Sequence, residues 1–495
     1  MSADTGMGTI TTRIPARLDR LPWSRFHWRV VVGLGGVWIL DGLEVTMVGN
    51  VASRWTEDNS GIDINAAQVG MAGAIYIVGA CVGALFFGQL TDRFGRKKLF
   101  MLTLLVYLAA TVATAFAFAP WYLFIARFFT GAGIGGEYAA INSAIDELIP
   151  AQHRGRVDLA INGSYWLGAA GGSALAVLLL NESIFAADLG WRLAFGLGAV
   201  LGVLVLIVRR HVPESPRWLF IHGREDEAED IVDGIEQEVE TETDDRSLPE
   251  PTEKPLTVRQ RHSIPFREIA TVAFRTYPKR SILGLALFVG QAFMHNGVTF
   301  NLGLLLSDFY DIGSGVVPLF IIVWALSNFA GPVLLGPLFD TWGRKPMISL
   351  SFFGSAALGL VLAVVFGSGA GGVTLFMVVL FACFFLTSAG ASAAYLTVSE
   401  IFPMETRALA IAFFYAIGTA LGGIAGPLLF GNLIESGKAS NVAISFAIGA
   451  VVMALGGLAE IAYGVKAEGQ NLESIAKPLT AEDAESGTPE EKATA

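Results

Sequence analysis

With 53% hydrophobic and 16% charged residues among 495, and a mean hydropathy of +0.56, the chain is too apolar for a water-soluble protein, in which about a quarter of residues are charged. The net charge of −11 is concentrated, because 15 of the 44 acids fall between Glu214 and Glu253 and 7 more from Glu468 onward. Neither acidic stretch suits nucleic acid or anionic lipid. The only cysteines, Cys81 and Cys383, lie inside apolar runs and read as small packing residues, not as a disulfide or a metal site.

The chain opens with a polar arm carrying Arg13, Arg17, Arg20 and Arg25, which lacks the pattern of a cleavable signal peptide. Six apolar runs follow near 29–50, 68–90, 98–118, 121–145, 157–180 and 191–209. Each is long enough to span a bilayer as a helix. A polar break from about Arg210 to Lys279 opens with Pro213-Glu-Ser-Pro216-Arg217-Trp218-Leu219. Within it Ala228, Ile231, Val232, Ile235 and Val239 form an apolar stripe at helical spacing, which predicts a helix lying under the bundle. The acidic, proline-bearing run from Glu240 to Lys254 is expected to be disordered, as is the tail after Lys477. Six further runs lie near 280–306, 316–338, 346–367, 373–397, 407–431 and 441–465. The expected fold is all-α, with twelve transmembrane helices in two halves. The domains are then an arm (1–27), a first half (28–209), a central loop (210–279), a second half (280–466) and an acidic tail (467–495).

Two loop patterns occur twice. Gly88-Gln-Leu-Thr-Asp92-Arg93-Phe-Gly95-Arg96-Lys97 returns 248 residues later as Gly336-Pro-Leu-Phe-Asp340-Thr-Trp-Gly343-Arg344-Lys345. Glu147-Leu-Ile-Pro150 with Arg154 returns 253 residues later as Glu400-Ile-Phe-Pro403 with Arg407. Two echoes at nearly one offset mean two homologous halves, and in an apolar chain parallel halves point to a transporter. Glycine permits the tight turn; the acid can meet a neighbouring helix N-terminus or a base. The bases of these short loops outnumber those on the other side (Arg54, Arg192 and Lys438), which places both termini in the cytoplasm.

The doubled Gly-x-x-x-Asp-x-x-Gly-Arg-Lys loop resembles the signature of the major facilitator superfamily. The Pro213–Leu219 stretch resembles that of its sugar-porter branch and relatives. The resemblance spans about Trp28 to Ile475 and implies alternating access, with the doubled loops as gates. The gating residues are then Gly88, Asp92, Arg93, Gly95, Arg96, Glu147, Arg154, Gly336, Asp340, Gly343, Arg344, Glu400 and Arg407.

Charges inside spans are costly and therefore functional suspects. Asp41 and Glu44, three residues apart, share one helix face. Asp41-Gly-x-Glu44 is similar to the Asp-Gly-x-Asp of aromatic- and organic-acid symporters, and in the sugar-porter alignment Glu44 falls on the proton-carrying acid. Each acid otherwise only ties helices together. The run Arg127-x-x-x-Gly131-x-Gly133-x-Gly135 again resembles the superfamily. Its glycines allow close helix approach, and Arg127 needs an anionic partner, for which the resemblance offers Glu44. Glu137 either pairs with a loop base or lines the cavity. The seventh span offers Gln291, His295, Asn296, Phe300 and Asn301. By resemblance Gln291, Asn296 and Asn162 fall on positions that bind substrate; the alternative is that they tie helices. His295 titrates near neutrality or packs. Gly390 stands where sugar porters carry tryptophan, leaving Tyr395 as the aromatic ring nearby.

The expected protein is a secondary transporter in the cytoplasmic (inner) membrane, acting as a monomer and requiring no cofactor. It moves a small polar metabolite by proton symport, with organic or aromatic acids ahead of sugars and polyols. Its partners are that substrate, protons and the lipid bilayer, and no nucleic acid. Drug efflux is the next transport reading, although Gly163 to Gly172 lacks the Gly-Pro step of such antiporters (Gly426-Pro427 has one). A sensor signalling through 210–279 is the alternative outside transport. An enzyme is not expected, because no nucleophile–base pair, metal cluster or phosphate loop emerges from the sequence.

Overall fold

A bilayer offers no water to unpaired backbone groups, so each apolar run must close its hydrogen bonds within itself as a helix. The computed structural model describes residues 6–476 apart from 56–58, 63, 65, 182, 210–213, 243–247, 249, 252–254, 262–270, 313–315 and 404–406. A few side chains within the helices, Asp92, Arg93 and Arg96 among them, also lie outside the described residues.

After strand β1 (Gly6–Thr12) and the short helix α1 (Ile14–Asp19) come six long helices. These are α2 (Arg25–Trp55), α3 (Ala66–Phe94), α4 (Arg96–Ala115), α5 (Pro120–Leu148), α6 (Arg154–Leu179) and α7 (Ala187–Arg209). The central segment holds α8 (Pro216–Ile221), α9 (Glu225–Glu242) and strand β2 (Leu256–Arg261). The second six are α10 (Pro278–Tyr310), α11 (Val317–Thr341), α12 (Arg344–Ser368), α13 (Gly372–Ile401), α14 (Arg407–Glu435) and α15 (Ala439–Tyr463), followed by the short α16 (Leu472–Ile475). The twelve long helices are the twelve expected spans. Among the described residues, ten of them hold a stretch long and apolar enough to cross a membrane by length and composition alone. The other two, α5 and α6, fall short because glycines and buried polar residues occupy their faces inside the bundle.

Within the halves α2 packs on α6, α3 on α5, α10 on α14 and α12 on α15; α6 meets α11 and α3 meets α14 across the middle. Small residues set these distances. A Cβ on Gly83 would stand 2.0 Å from the Ala132 carbonyl, and one on Gly135 2.0 Å from that of Ala80, so α3 and α5 touch backbone to backbone.

The apolar stripe of α9 is packed as its spacing predicts: Ala228, Val232, Ile235 and Val239 are buried, and Ile231 is half-buried. The flank beside it presents Glu229, Asp233 and Glu236, about one turn apart, and all three pair with Arg17. Arg20 also bonds Glu236, and Arg29 bonds Glu238. The arm is tied down a second time by the antiparallel pairing of β1 with β2, with Ile10 opposite Val258 and Thr11 opposite Thr257. This pairing was not expected, because each strand is short and acquires its partner from a segment 246 residues away. Of the run expected to be disordered, Glu240–Glu242 closes α9; 243–247, 249 and 252–254 lie outside the described residues, as does the tail from 477.

Candidate functional site

A cavity of about 160 Å³ lies between the halves, near the middle of the bundle. The first half supplies mostly rings: Trp38 from α2, Tyr76 from α3, Tyr138 from α5, and Tyr165 and Trp166 from α6. The second half supplies polar and small groups: Gln291, His295 and Asn296 from α10, Ser388 and Ser392 from α13, and Thr419 from α14. Tyr395 and Tyr415 close the aromatic wall from that side. The rings brace one another. Trp38 stacks on Tyr138 at 4.4 Å, Tyr138 meets Tyr415 edge-on at 4.9 Å, and Trp166 stacks on His295 at 5.3 Å. Buried polar atoms normally find partners, yet Trp38 Nε1, Asn162 Oδ1, His295 Nδ1 and Ser388 Oγ have none among the described residues. They are donors and acceptors held ready for a guest.

One layer behind this wall, Arg127 Nη1 of α5 bonds Glu44 Oε1 of α2, with both side chains buried. The guanidinium lies over the Tyr76 ring at 4.7 Å from its centroid. Tyr76 therefore touches the cavity on one side and the ion pair on the other. Asp41, one turn before Glu44, is buried with both carboxylate oxygens unpartnered among the described residues. Glu137 is buried in the first half and does not line the cavity.

The doubled loops meet at one end of the bundle. Asp340, at the end of α11, accepts hydrogen bonds from the backbone N–H groups of Gly155 (3.0 Å) and Arg156 (2.9 Å) at the start of α6. A carboxylate thus caps a helix N-terminus of the other half. Arg344 holds Asp340 at 2.9 Å and clasps Glu400 through two bonds of 2.9 and 2.8 Å. Glu147 accepts from Arg407 of the other half at 3.4 Å, and Arg407 Nε donates to the Ser399 carbonyl at 2.6 Å. Arg154 bonds Asp19 at 3.3 Å and the Gln470 carbonyl at 3.3 Å. Arg217 reaches both Asp19 (3.4 Å) and Glu473 (3.2 Å). Burial pushes the Asp19 carboxyl up from its ordinary value, against the pull of Arg217 and Arg154.

The pseudo-symmetry extends beyond the pairs visible in the sequence. Gly95 (φ +95°) and Gly343 (φ +104°) adopt a conformation that favours glycine and bring no side chain to cap α4 and α12. The missing caps arrive from elsewhere: Glu214 accepts from Lys97 N at 3.1 Å, and Glu468 from Arg344 N at 3.3 Å. These acids are 254 residues apart, and each precedes a short helix, α8 or α16. This third echo is faint in the sequence, because at that offset only the glutamates and a later isoleucine, Ile221 and Ile475, match.

Of the expected substrate residues, Asn162, Gln291, His295, Asn296, Phe300 and Tyr395 line the cavity. Asn301 does not; its amide donates to the carbonyls of Gly297 (2.8 Å) and Pro427 (3.5 Å), tying α10 to α14. The geometry brings Asp340, Arg344, Glu400, Glu147, Arg154 and Arg407 to one end. Gly88 and Gly336 lie near the ends of α3 and α11. The side chains of Asp92, Arg93 and Arg96 lie outside the described residues. The aromatic wall went unread in the sequence. Its signal was tryptophan and tyrosine near mid-helix, away from the membrane interfaces where such rings gather. Gly390 turns its Cα toward Phe352 of α12, 3.2 Å from where a Cβ would stand.

A family model described as "Sugar (and other) transporter" matches residues 44–477. The chain is 28% identical over 471 residues to the niacin transporter NiaP of Acinetobacter baylyi, covering 93% of this chain and 99% of that one. It is 26% identical over 422 residues to the 4-hydroxybenzoate transporter PcaK of Pseudomonas putida, covering 84% and 88%. Its fold matches the proton:xylose symporter XylE with a TM-score of 0.73 at 18% identity, over 93% of this chain and 99% of that one. Family match, twelve-helix bundle and central cavity agree: the chain belongs to the Sugar (and other) transporter family and is a multi-pass membrane transporter of the major facilitator superfamily, not an enzyme.

Proposed function

We propose that the protein is a proton symporter for a small aromatic or related organic acid, working as a monomer in the cytoplasmic membrane. The observation that carries this reading is the aromatic cavity set against the buried Glu44–Arg127 pair through the shared ring of Tyr76. Two indole and five phenol rings suit a flat guest, which they can hold by stacking. The relatives named for niacin and 4-hydroxybenzoate support a flat acid. A guest pressing on Tyr76 alters the seat of Arg127, and with it the balance between ionised and protonated Glu44. In this reading the end bearing Asp340 and Glu147 is the cytoplasmic gate, and both termini lie in the cytoplasm with it. The segments 1–27, 210–279 and 467–495 serve that gate, between halves 28–209 and 280–466.

A sugar or polyol is the second reading, favoured by the amides of Asn162, Gln291 and Asn296 on the cavity wall. Counterflow across proteoliposomes separates the two. Loaded with 4-hydroxybenzoate or nicotinate, vesicles should exchange the labelled acid, and vesicles loaded with xylose or inositol should not exchange sugar. Exchange of the polyol alone overturns the acid reading.

A further inference from the structure

An acid entering this cavity meets an electrostatic problem. Among the described residues lining it there is no Arg, Lys, Asp or Glu. A carboxylate taken from water into such a site without a counter-charge loses several kcal/mol. Arg127 is engaged by Glu44 and screened by the Tyr76 ring. Among the described lining residues one group can acquire a positive charge, and that group is His295.

We propose that His295 is the anion-pairing group of the cavity, taking up a proton as the substrate's carboxylate arrives and carrying it with the substrate. This rests on the acid reading above. The side chain is 7% exposed. Nε2 lies 3.3 Å from Asn328 Oδ1, and the Asn328 amide nitrogen donates to the Trp324 carbonyl at 2.9 Å, which fixes Oδ1 as the atom facing the ring. That arrangement assigns the Nε2 proton to Asn328; Nδ1 makes no well-formed hydrogen bond among the described residues, with the Gln291 carbonyl, one turn earlier, as the backbone group beside the ring. Trp166 stacks on one face of the imidazole at 5.3 Å, a platform that favours an imidazolium. Trp324 and Phe384 close the surroundings from α11 and α13 with apolar surface. Among the described lining residues the other titratable groups are the phenols of Tyr76, Tyr138, Tyr165, Tyr395 and Tyr415, and phenols ordinarily stay neutral below about pH 9.

The step balances simply. Nδ1 binds one proton from the solvent through which the substrate enters, and the new N–H donates to the substrate carboxylate. The loaded pair is neutral, and the proton leaves when the carboxylate does. His295 therefore adds a second proton site, separate from Glu44, and makes selection for a carboxylate over its amide depend on pH.

The test is isothermal titration of the full-length detergent-solubilised protein with 4-hydroxybenzoate and with 4-hydroxybenzamide, from pH 5.5 to 8.5. A Glu44→Gln background removes the other proton site. The carboxylate should bind with uptake of one proton, read from buffers of different ionisation enthalpy, and should weaken by about tenfold per pH unit at the alkaline end. The amide should bind with no pH dependence. His295→Gln should bring carboxylate affinity down to that of the amide and abolish the slope. Carboxylate binding without proton uptake in the Glu44→Gln protein overturns the proposal, and this arm needs no His295 variant to fold. So does a His295→Gln protein that keeps both preference and slope. Inositol binding with neither aromatic probe bound overturns the acid reading and this pairing together.

Discussion

Asp340→Asn probes the contact between the halves at the gate with little change of shape. In the parent, the two carboxylate oxygens accept the Gly155 and Arg156 amides at 3.0 and 2.9 Å, and Oδ1 also accepts from Arg344 at 2.9 Å. Asparagine keeps one acceptor and turns an NH2 toward a second N–H donor. One bond to a charged group is lost, about 1.5–3 kcal/mol, together with the charge at the α6 N-terminus, about 0.3–1 kcal/mol. At about 1.4 kcal/mol per tenfold, a total of about 2–4 kcal/mol lowers the closed-to-open ratio of the gate by about thirtyfold or more. The change should insert normally, because Arg344 retains its two bonds to Glu400. The assay is electron–electron resonance between spin labels at the exposed positions Lys98 and Lys466, with Cys81 and Cys383 replaced. The short-distance population should shrink and counterflow should slow. Unchanged distances with unchanged transport would refute the reasoning and reduce the loop to a topology signal.

Three further outcomes are expected. A reporter fused after Asn59 should be active only outside the cell and one fused after Asp245 only inside; the reverse at either site inverts the orientation. Asn301→Ala should leave substrate affinity unchanged and lower stability by roughly 0.6 kcal/mol, the typical worth of a polar contact between membrane helices; a large affinity loss in a titration would put Asn301 back in the site. The arm clamp has a pH signature: burial pushes the Glu236 carboxyl up, but the bonds from Arg17 and Arg20 more than offset this and hold it below its ordinary value. A lowered carboxylate contributes stability above the unfolded value of about 4.3 and loses it as pH falls through the folded one. Hydrogen exchange in α9 should therefore be flat from pH 8 to 5, after correction for intrinsic rates, and rise only in stronger acid.

The twelve helices were legible because lipid leaves an apolar run no alternative to a helix, and the paired halves because two loop patterns repeat. That Arg127 needs an acid was legible because a charge inside a span must find an opposite one; that the acid is Glu44 came from the family resemblance, and the structure pairs the two. The aromatic wall was not. Trp38, Tyr76, Tyr138 and Trp166 come from four helices, and only packing shows that their rings converge. Asn301 was not assignable from sequence because an amide in a membrane helix serves equally well as a tie or a ligand; in the structure its amide bonds the Gly297 and Pro427 carbonyls. The caps from Glu214 and Glu468 and the strand pair β1–β2 are long-range contacts whose local sequences carry no mark of a distant partner.

Proton coupling through Glu44 is the centre of the account. Its most direct test is uptake of labelled 4-hydroxybenzoate into proteoliposomes, with and without an imposed proton gradient, for the parent and for Glu44→Gln. The parent should concentrate the acid only with the gradient. Glu44→Gln should fail to concentrate it yet retain counterflow, whereas Arg127→Ala should lose both, since it strands a buried acid at a loss of several kcal/mol. If Glu44→Gln still concentrates the acid in response to the gradient, Glu44 is not the proton carrier, and Asp41 is the acid to change next.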